Sequence, residues 1–308
     1  MLSFPFFKKN KLRKRVSCYL DFASDHMAVS FFNGEHYEVI EKESINLSES
    51  VSAIIDASQA DIAVVATLGS YKNMTVEKPA IPEEEIGDTL RWDFASNVSF
   101  DVETASVDYF LFPQADHNDK PMLSAFILPE KSLIDVNSVL VKARATLGCI
   151  TLPEMAITEL LSRLDRGRAF AGLVLADTGS FLIVAHQGQI YLNRQLKGNI
   201  SSLIGDINSP GSDKIIKECS RTVNYFVGKF SQIPLGELHY FTDKKYTNVM
   251  SAVSEKMASA LNLEVKAYDY TPLELDGKLP ESLPGQLSLG MAMLKQRLLK
   301  EERGVPTE

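Results

Sequence analysis

From residue 16 onward the chain alternates apolar and polar positions with a period of two. VSCYLDFA (16–23), HMAVSFFNG (26–34) and EHYEVIEKE (35–43) predict three successive strands. Asn33-Gly34 is a hairpin signal, because both central residues of a type I′ turn need φ > 0. The period then changes. Ser48 to Ala60 carries Val51, Ile54 and Ile55 on one helical face, and ADIAVVATL (60–68) is a short continuous apolar run that reads as a buried strand. IPEEEIGDTLRWDF (81–94) has a proline and acids in the first turn of a helix, where fixed φ and the helix dipole favour them. VETASVDYFLF (102–112) and MLSAFILP (122–129) predict strands. KSLIDVNSVLVKARATLG (131–148) predicts an amphipathic helix ending at Gly148, and LPEMAITELLSRL (152–164) another helix.

The second half repeats this order. LVLADTG (173–179), SFLIVAHQG (180–188) and QIYLNRQL (189–196) form a meander, followed by a helix over about 212–230. ELHYFTD (237–243) predicts a strand, VMSAVSEKMASAL (249–261) a helix, LEVKAYDY (263–270) a strand and SLGMAMLKQRLL (288–299) a closing helix. The C-terminal residues beyond it are expected to fray. Both meanders run strand, Asp-x-small-Ser, strand, x-Gly, strand, and Asp21 and Asp177 stand 156 residues apart, half the chain. Each meander is followed by helix, strand, helix. Together these point to a duplicated α/β architecture.

The turn Asp177-Thr178-Gly179-Ser180 carries the candidate chemistry. Backbone N–H groups in a tight glycine turn converge into an anion-binding concavity. A carboxylate there can hold hydrated Mg²⁺, which favours one or two carboxylates together with substrate phosphates. Two such turns facing each other across a cleft would clamp a nucleoside triphosphate; taken alone, the tetrapeptide is common and in most proteins an ordinary turn.

The paired meanders, the closing LSLGMAM, the helix ECSRTVNYF, IPEEEIGDTLRWDF and IYLNRQL together resemble the actin-like pilus-assembly proteins of the PilM type. More narrowly, with the start FPFFKKNK, they resemble the MshI branch serving mannose-sensitive haemagglutinin (MSHA) pilus biogenesis. The resemblance runs along nearly the whole chain, through a succession of motifs none of which is specific alone. It implies an α/β, actin-like (ASKHA, ribonuclease-H-like) two-lobed fold with mixed sheets and helices. The expected division is a tail over 1–15, a first lobe over 16–165 with an insertion subdomain at about 72–115, a second lobe over 166–300 and a frayed end over 301–308.

The same resemblance implies a scaffold at the cytoplasmic face of the inner membrane that binds the cytoplasmic tail of a single-span pilus assembly protein. It also assigns the cofactor positions: Asp21 and Ser24 in a first phosphate turn, Asp177, Thr178, Gly179 and Ser180 in a second, with Asp177 as the Mg²⁺ ligand if Mg-ATP binds. The first turn departs from the family pattern. Ala23 replaces its glycine, and Asp25 sets a like charge where a triphosphate would lie. The Gly-Gly expected on the adenosine side is replaced by Thr242-Asp243, and without it a Cβ stands between nucleotide and backbone. Nucleotide binding is therefore expected to be weak or lost, so that no cofactor and no enzymatic activity are expected. The alternative is an actin-like ATPase switched by ATP and Mg²⁺.

Charge and composition narrow the rest. Of 308 residues, 45% are hydrophobic and 23% charged, enough to bury cores for about two domains. Net charge is −8, but KKNKLRKR packs six cations into eight residues and leaves −14 on the remainder, which excludes a nucleic-acid partner. Phe4, Phe6 and Phe7 followed by Lys8, Lys9, Lys11, Arg13, Lys14 and Arg15 suit a membrane surface, a partner's groove or a solubilising tail. Arg91-Trp92, with the only tryptophan of the chain, is either packing within the insertion or an anchor for a partner peptide. Cys18, Cys149 and Cys219 lie far apart, without a CxxC pair, and read as buried thiols of a reducing, cytoplasmic compartment. The five histidines show no metal spacing.

Overall fold

The computed structural model describes residues 16–21, 26–32, 35–43, 46–54, 61–115, 120–164, 166–204, 208–273 and 275–302. The first half opens with β1 (Val16–Asp21), β2 (His26–Phe32) and β3 (Tyr37–Glu43), then α1 (Leu47–Ile54) and β4 (Asp61–Val65). The strands fall where the pattern predicted them, but β1 and β2 are buried on both faces, Ser17 to Leu20 and Met27 to Ser30 alike. The Asn33-Gly34 turn and the helix beyond Ile54 lie outside the described residues.

Next come β5 (Lys72–Glu77), α2 (Glu83–Phe94), β6 (Ser106–Leu111), β7 (Met122–Leu128), α3 (Glu130–Lys142), β8 (Thr146–Thr151) and α4 (Pro153–Ser162). The second half holds β9 (Ala169–Leu175), β10 (Ser180–His186), β11 (Gln189–Gln195), α5 (Pro210–Lys229), β12 (Leu235–Phe241), α6 (Thr247–Leu261), β13 (Val265–Ala267) and α7 (Leu283–Glu302).

Two five-stranded sheets share one plan. Their orders are β3-β2-β1-β4-β8 and β11-β10-β9-β12-β13. In each, an antiparallel meander supplies three strands and parallel crossovers add two. A third sheet, β5-β7-β6, is antiparallel and three-stranded. Its central strand, β7, lies beyond the 72–115 stretch. β7 is apolar on both faces. Leu123, Ala125 and Ile127 pack with Ile86, Leu90 and Phe94 of α2, while Phe126 turns the other way into the large core beneath.

Three sequence expectations need correction. The helix expected to end at Gly148 stops at Lys142. Arg144 adopts a left-handed φ of +56°, and residues 146–151 form β8 instead. Parallel pairing of β8 with β4 decides this stretch, and local periodicity cannot see that partner. KNMTVE (72–77) forms β5 although no strand was expected; it lacks a clean apolar alternation and is recruited by β7. Helix α7 also continues to Glu302, into the stretch expected to fray.

Two helices tie the halves together. α4 follows the first sheet yet packs on β9, β10 and β11, and all of Pro153 to Leu161 is buried. α7 follows the second sheet yet packs on β1, β2 and β3. They cross where Gly290 meets Ala156, so tightly that any Cβ on Gly290 would run into the Ala156 carbonyl. Buried hydroxyls fix α7 to the first sheet. Ser17 Oγ donates to the Ser288 carbonyl at 2.6 Å, and Ser30 Oγ lies 2.6 Å from Ser288 Oγ. One apolar core consequently runs from Tyr19 and Ala28 through α4 and α7 to Phe181 and Phe241.

Candidate functional sites

The cleft between the halves has a volume of about 930 Å³. The β9–β10 turn forms one wall, with Ala176, Asp177 and Thr178 lining it. Glu41 and Lys42 of β3, the Asp243-Lys244-Lys245 segment after β12 and the approach to α7 form the others. The turn is held from behind: Ala176 N–H donates to the Gly179 carbonyl at 3.1 Å, and Asn199 Nδ2 donates to the Asp177 carbonyl at 2.9 Å. No atom comes within 4 Å of where a Cβ on Gly179 would stand. Ser180 faces inward, and its buried hydroxyl has no hydrogen-bond partner among the described residues.

The Asp177 carboxylate is engaged by the chain itself. The Tyr246 hydroxyl lies 2.9 Å from each of its oxygens, Ser201 Oγ 3.4 Å from one of them and Lys245 Nζ 3.6 Å from the other. Burial, and then the hydrogen bond to Asp177, push the Tyr246 phenol above its ordinary range. Beside the turn, at the end of β12, Thr242 Oγ1 donates to the Leu175 carbonyl at 2.8 Å, and Asp243 accepts the Leu283 N–H at 2.8 Å. Thr242-Asp243 thus binds the end of β12 to β9 and to the first turn of α7.

Glu41 reaches across from β3 to accept the N–H groups of Glu281 and Ser282 at 3.2 and 2.9 Å. A Cβ on Gly285 would collide with that carboxylate. Among the described residues, four lysines and four acids line the cleft. Lys244 pairs with Glu281 at 2.7 Å, and Lys245 lies 3.7 Å from Asp243. These charges offset one another, so the cleft lacks the one-signed field that gathers a polyanion. Opposite the turn, Gly69 (φ +85°) brings the loop after β4 to the Thr178 carbonyl, 3.2 Å from where its Cβ would be.

Asp21 and Asp177 are equivalent by count along the chain but not by ladder. Asp21 is the last paired residue of β1, opposite His26, whereas Asp177 lies within its turn, two residues past the last pair, Leu175 and Ser180. Ser24 and the rest of the first turn, 22–25, lie outside the described residues. So do Phe4, Phe6, Phe7 and the cationic run 8–15. Lys214 and Lys217 are exposed on α5, and the neighbouring Glu218 is buried, accepting the Lys197 N–H at 2.9 Å. Among the described residues no three His, Cys, Asp or Glu side chains are placed to share a metal ion. The three cysteines are buried, and burial pushes Cys18 and Cys219 up to about 12 and Cys149 to about 11.

A second cavity, of about 310 Å³, lies between two sheets. Ser106 to Phe110 of β6 line one side and Leu147 to Thr151 of β8 the other. β6 ends the small sheet and β8 ends the first large one, so each presents an edge without a ladder partner among the described residues. Tyr71, Phe126, Leu128, Leu133, Met155 and Leu294 complete an apolar lining. Beneath it, Tyr71 donates to the buried Glu154 at 2.8 Å, and Asn193 Nδ2 of β11 approaches the other Glu154 oxygen at 3.4 Å. Burial raises Glu154 to about 7, opposed by these hydrogen bonds. Nothing in the sequence singles out Glu154, and only its burial sets it apart.

Arg91 and Trp92 line neither cavity. Arg91 Nη1 donates to the carbonyls of Val102, Glu103 and Ala105 at 3.0, 3.2 and 2.5 Å, closing the loop that follows α2. Trp92 is not a packing residue: its neighbours Leu90 and Phe94 turn inward, and it stands 62% exposed.

Two matching sheets bridged by crossing helices, with a cleft between them, are the actin-like fold. The chain is similar to the solved structure of a PilM–PilN type IV pilus biogenesis complex, with a TM-score of 0.67 and 12% identity over 97% of this chain and 100% of that one. It is also similar to a Bacteroides thetaiotaomicron protein of actin-like ATPase fold and unknown function, with a TM-score of 0.51 and 12% identity over 92% and 96% of the two chains. No protein-family model matches the chain, and no curated protein matches it. Among the described residues no helix is long and apolar enough to cross a membrane.

Proposed function

We propose that this protein is an actin-like scaffold of a type IV pilus machine, of the MSHA-like kind, at the cytoplasmic face of the inner membrane. It holds a cytoplasmic segment of a membrane-anchored assembly protein in the β6–β8 groove, and its nucleotide cleft is degenerate. The observation that carries this reading is the groove itself. Two strand edges face one apolar cavity, and an extended segment entering it gains backbone hydrogen bonds from an edge and side-chain pockets from the lining. The likeness to the PilM–PilN structure supports the class of partner. FPFFKKNK, IPEEEIGDTLRWDF and IYLNRQL support the MSHA-like assignment. The cationic run 8–15 gives a second contact, with anionic lipid.

The test is capture of the cytoplasmic segments of the host's single-span pilus proteins by the full chain. Ser106→Trp fills the groove from β6 and should abolish capture while leaving the melting temperature near wild type. Trp92→Ala should leave capture unchanged. The opposite pattern would move the partner site to α2. A liposome sedimentation arm with and without residues 1–15 reads the lipid contact, and equal pelleting rejects it.

The ATP-switched reading keeps one observation in its favour, the Asp177-Thr178-Gly179-Ser180 turn with open space before Gly179. Under that reading, millimolar ATP with Mg²⁺ raises the melting temperature and Asp177→Ala abolishes the rise.

A further inference from the structure

Strand β6 carries Val107, Tyr109 and Leu111 on one side and Ser106, Asp108 and Phe110 on the other. Its residues alternate between two faces of the small sheet. Val107 and Tyr109 join the cluster around α2, and Phe110 joins the large core with Phe126. Asp108 shares the face of Phe110 and stands directly across the ladder from Phe126. A carboxylate therefore shares its face with Ser106 and Phe110, lies across from Phe126 and is surrounded by a largely apolar lining.

Among the described residues it is also the only charged side chain lining the β6–β8 groove. Its one hydrogen bond in the described structure is from the adjacent Tyr109 N–H, at 2.8 Å to Oδ1. Among the described residues no lysine, arginine or histidine nitrogen lies within 4 Å of it. Burial holds this carboxyl above its usual range, against the pull of the Tyr109 hydrogen bond. A desolvated acid without a counter-ion is costly to its own fold, and an incoming cation relieves that cost through a charge-assisted hydrogen bond.

We infer that Asp108 is the specificity contact of the groove, selecting an extended segment that carries a lysine or arginine among apolar residues. The inference rests on the reading of the groove as a peptide seat. The order of residues follows from the strand period. In a segment paired with β6, the cation stands opposite Asp108, and the residue two positions away stands opposite Phe110 and must be apolar. Charge points the same way at long range, because the chain outside its cationic start carries −14 and draws basic segments toward it.

The probe is an array of N-acetylated ten-residue peptides with alternating valine and leucine, carrying Lys, Arg, Gln, norleucine or Glu at one central inward position. Full-length wild type, Asp108→Asn, Asp108→Lys and Ser106→Trp are compared, with thermal melts confirming that each variant folds. Wild type should bind the Lys and Arg peptides at least about tenfold more tightly than the Gln and norleucine peptides, and should reject Glu. Asp108→Asn should erase the preference while keeping apolar binding, and Asp108→Lys should turn it toward Glu. Equal binding of the uncharged and cationic peptides, unchanged in Asp108→Asn but lost in Ser106→Trp, overturns the role of Asp108 and leaves the groove standing. Binding of no peptide, or binding untouched by Ser106→Trp, overturns both.

Discussion

Helix α7 contributes to both cavities of this protein. Its first residues, Leu283 and Pro284, line the cleft, and Leu294, about three turns on, lines the groove. Around the first end the chain spends its polar groups on itself: Tyr246 and Lys245 on Asp177, Glu41 on Ser282, Lys244 on Glu281. Around the second, among the described residues, two backbone edges stay without a ladder partner and one acid, bonded to the Tyr109 N–H, has no counter-ion. A ligand entering the cleft must displace existing hydrogen bonds and ion pairs. A strand entering the groove displaces water from apolar surface and pairs backbone groups that water now serves, with net gain from the buried area. The contrast teaches that one helix can serve a polar cleft closed upon itself at one end and an open apolar groove at the other.

The comparison depends on the helix crossing that spaces the sheets, so the largest effect is expected there. Gly290→Val forces a branched side chain against the Ala156 carbonyl and should cost about 3 kcal/mol or more, lowering the melting temperature by roughly 10 °C. An unchanged melt would show that the helices can slide apart freely. Next in size is loss of peptide capture in Ser106→Trp without loss of fold, read by affinity and melting side by side.

The buried acid under the groove gives a pH signature. Glu154 is raised to about 7 from an unfolded value near 4.5, so the folded state binds more protons between those limits. Its contribution to stability is greatest at or below about pH 4.5 and diminishes as pH rises to about 7. Glu154→Gln removes that slope. Wild type should therefore lose stability relative to the variant across this window, by up to a few kcal/mol, and parallel denaturation curves at pH 5 and pH 8 would reject the assignment.

The smallest effects belong to the cleft. Asp177→Ala frees Tyr246 and Lys245 from a half-exposed carboxylate and should cost about 1 kcal/mol or less. ATP with Mg²⁺ should leave the wild-type melt unshifted. A clear shift would restore the switch reading.

Much of the fold was legible from pattern. The meanders, β4, α2, α4 and α6 followed from period two, period 3.6 and apolar runs, because those signals are local. β5 and β8 were hidden because each becomes a strand only by pairing with a neighbour distant in sequence, β7 and β4 respectively. The second turn was legible, and the structure sets Asp177 and Thr178 in the cleft wall. The occupant of Asp177 was not legible, since Tyr246 arrives from 69 residues away. Asp108 did leave a trace, an acid interrupting VDYFLF, but a strand with one polar residue is ordinary until its face is known. For Trp92 the sequence left two readings, packing within the insertion or an anchor for a partner, and its exposure removes the first.

By itself the sequence determined the kinds of element and the repeated order of the two halves, because apolar spacing is written residue by residue and the resulting faces must be buried. Only the tertiary structure decided which edges stay unpaired, which acids lose their water and which charges find each other. Those properties belong to surfaces assembled from distant segments, and their energies depend on burial that no single segment carries.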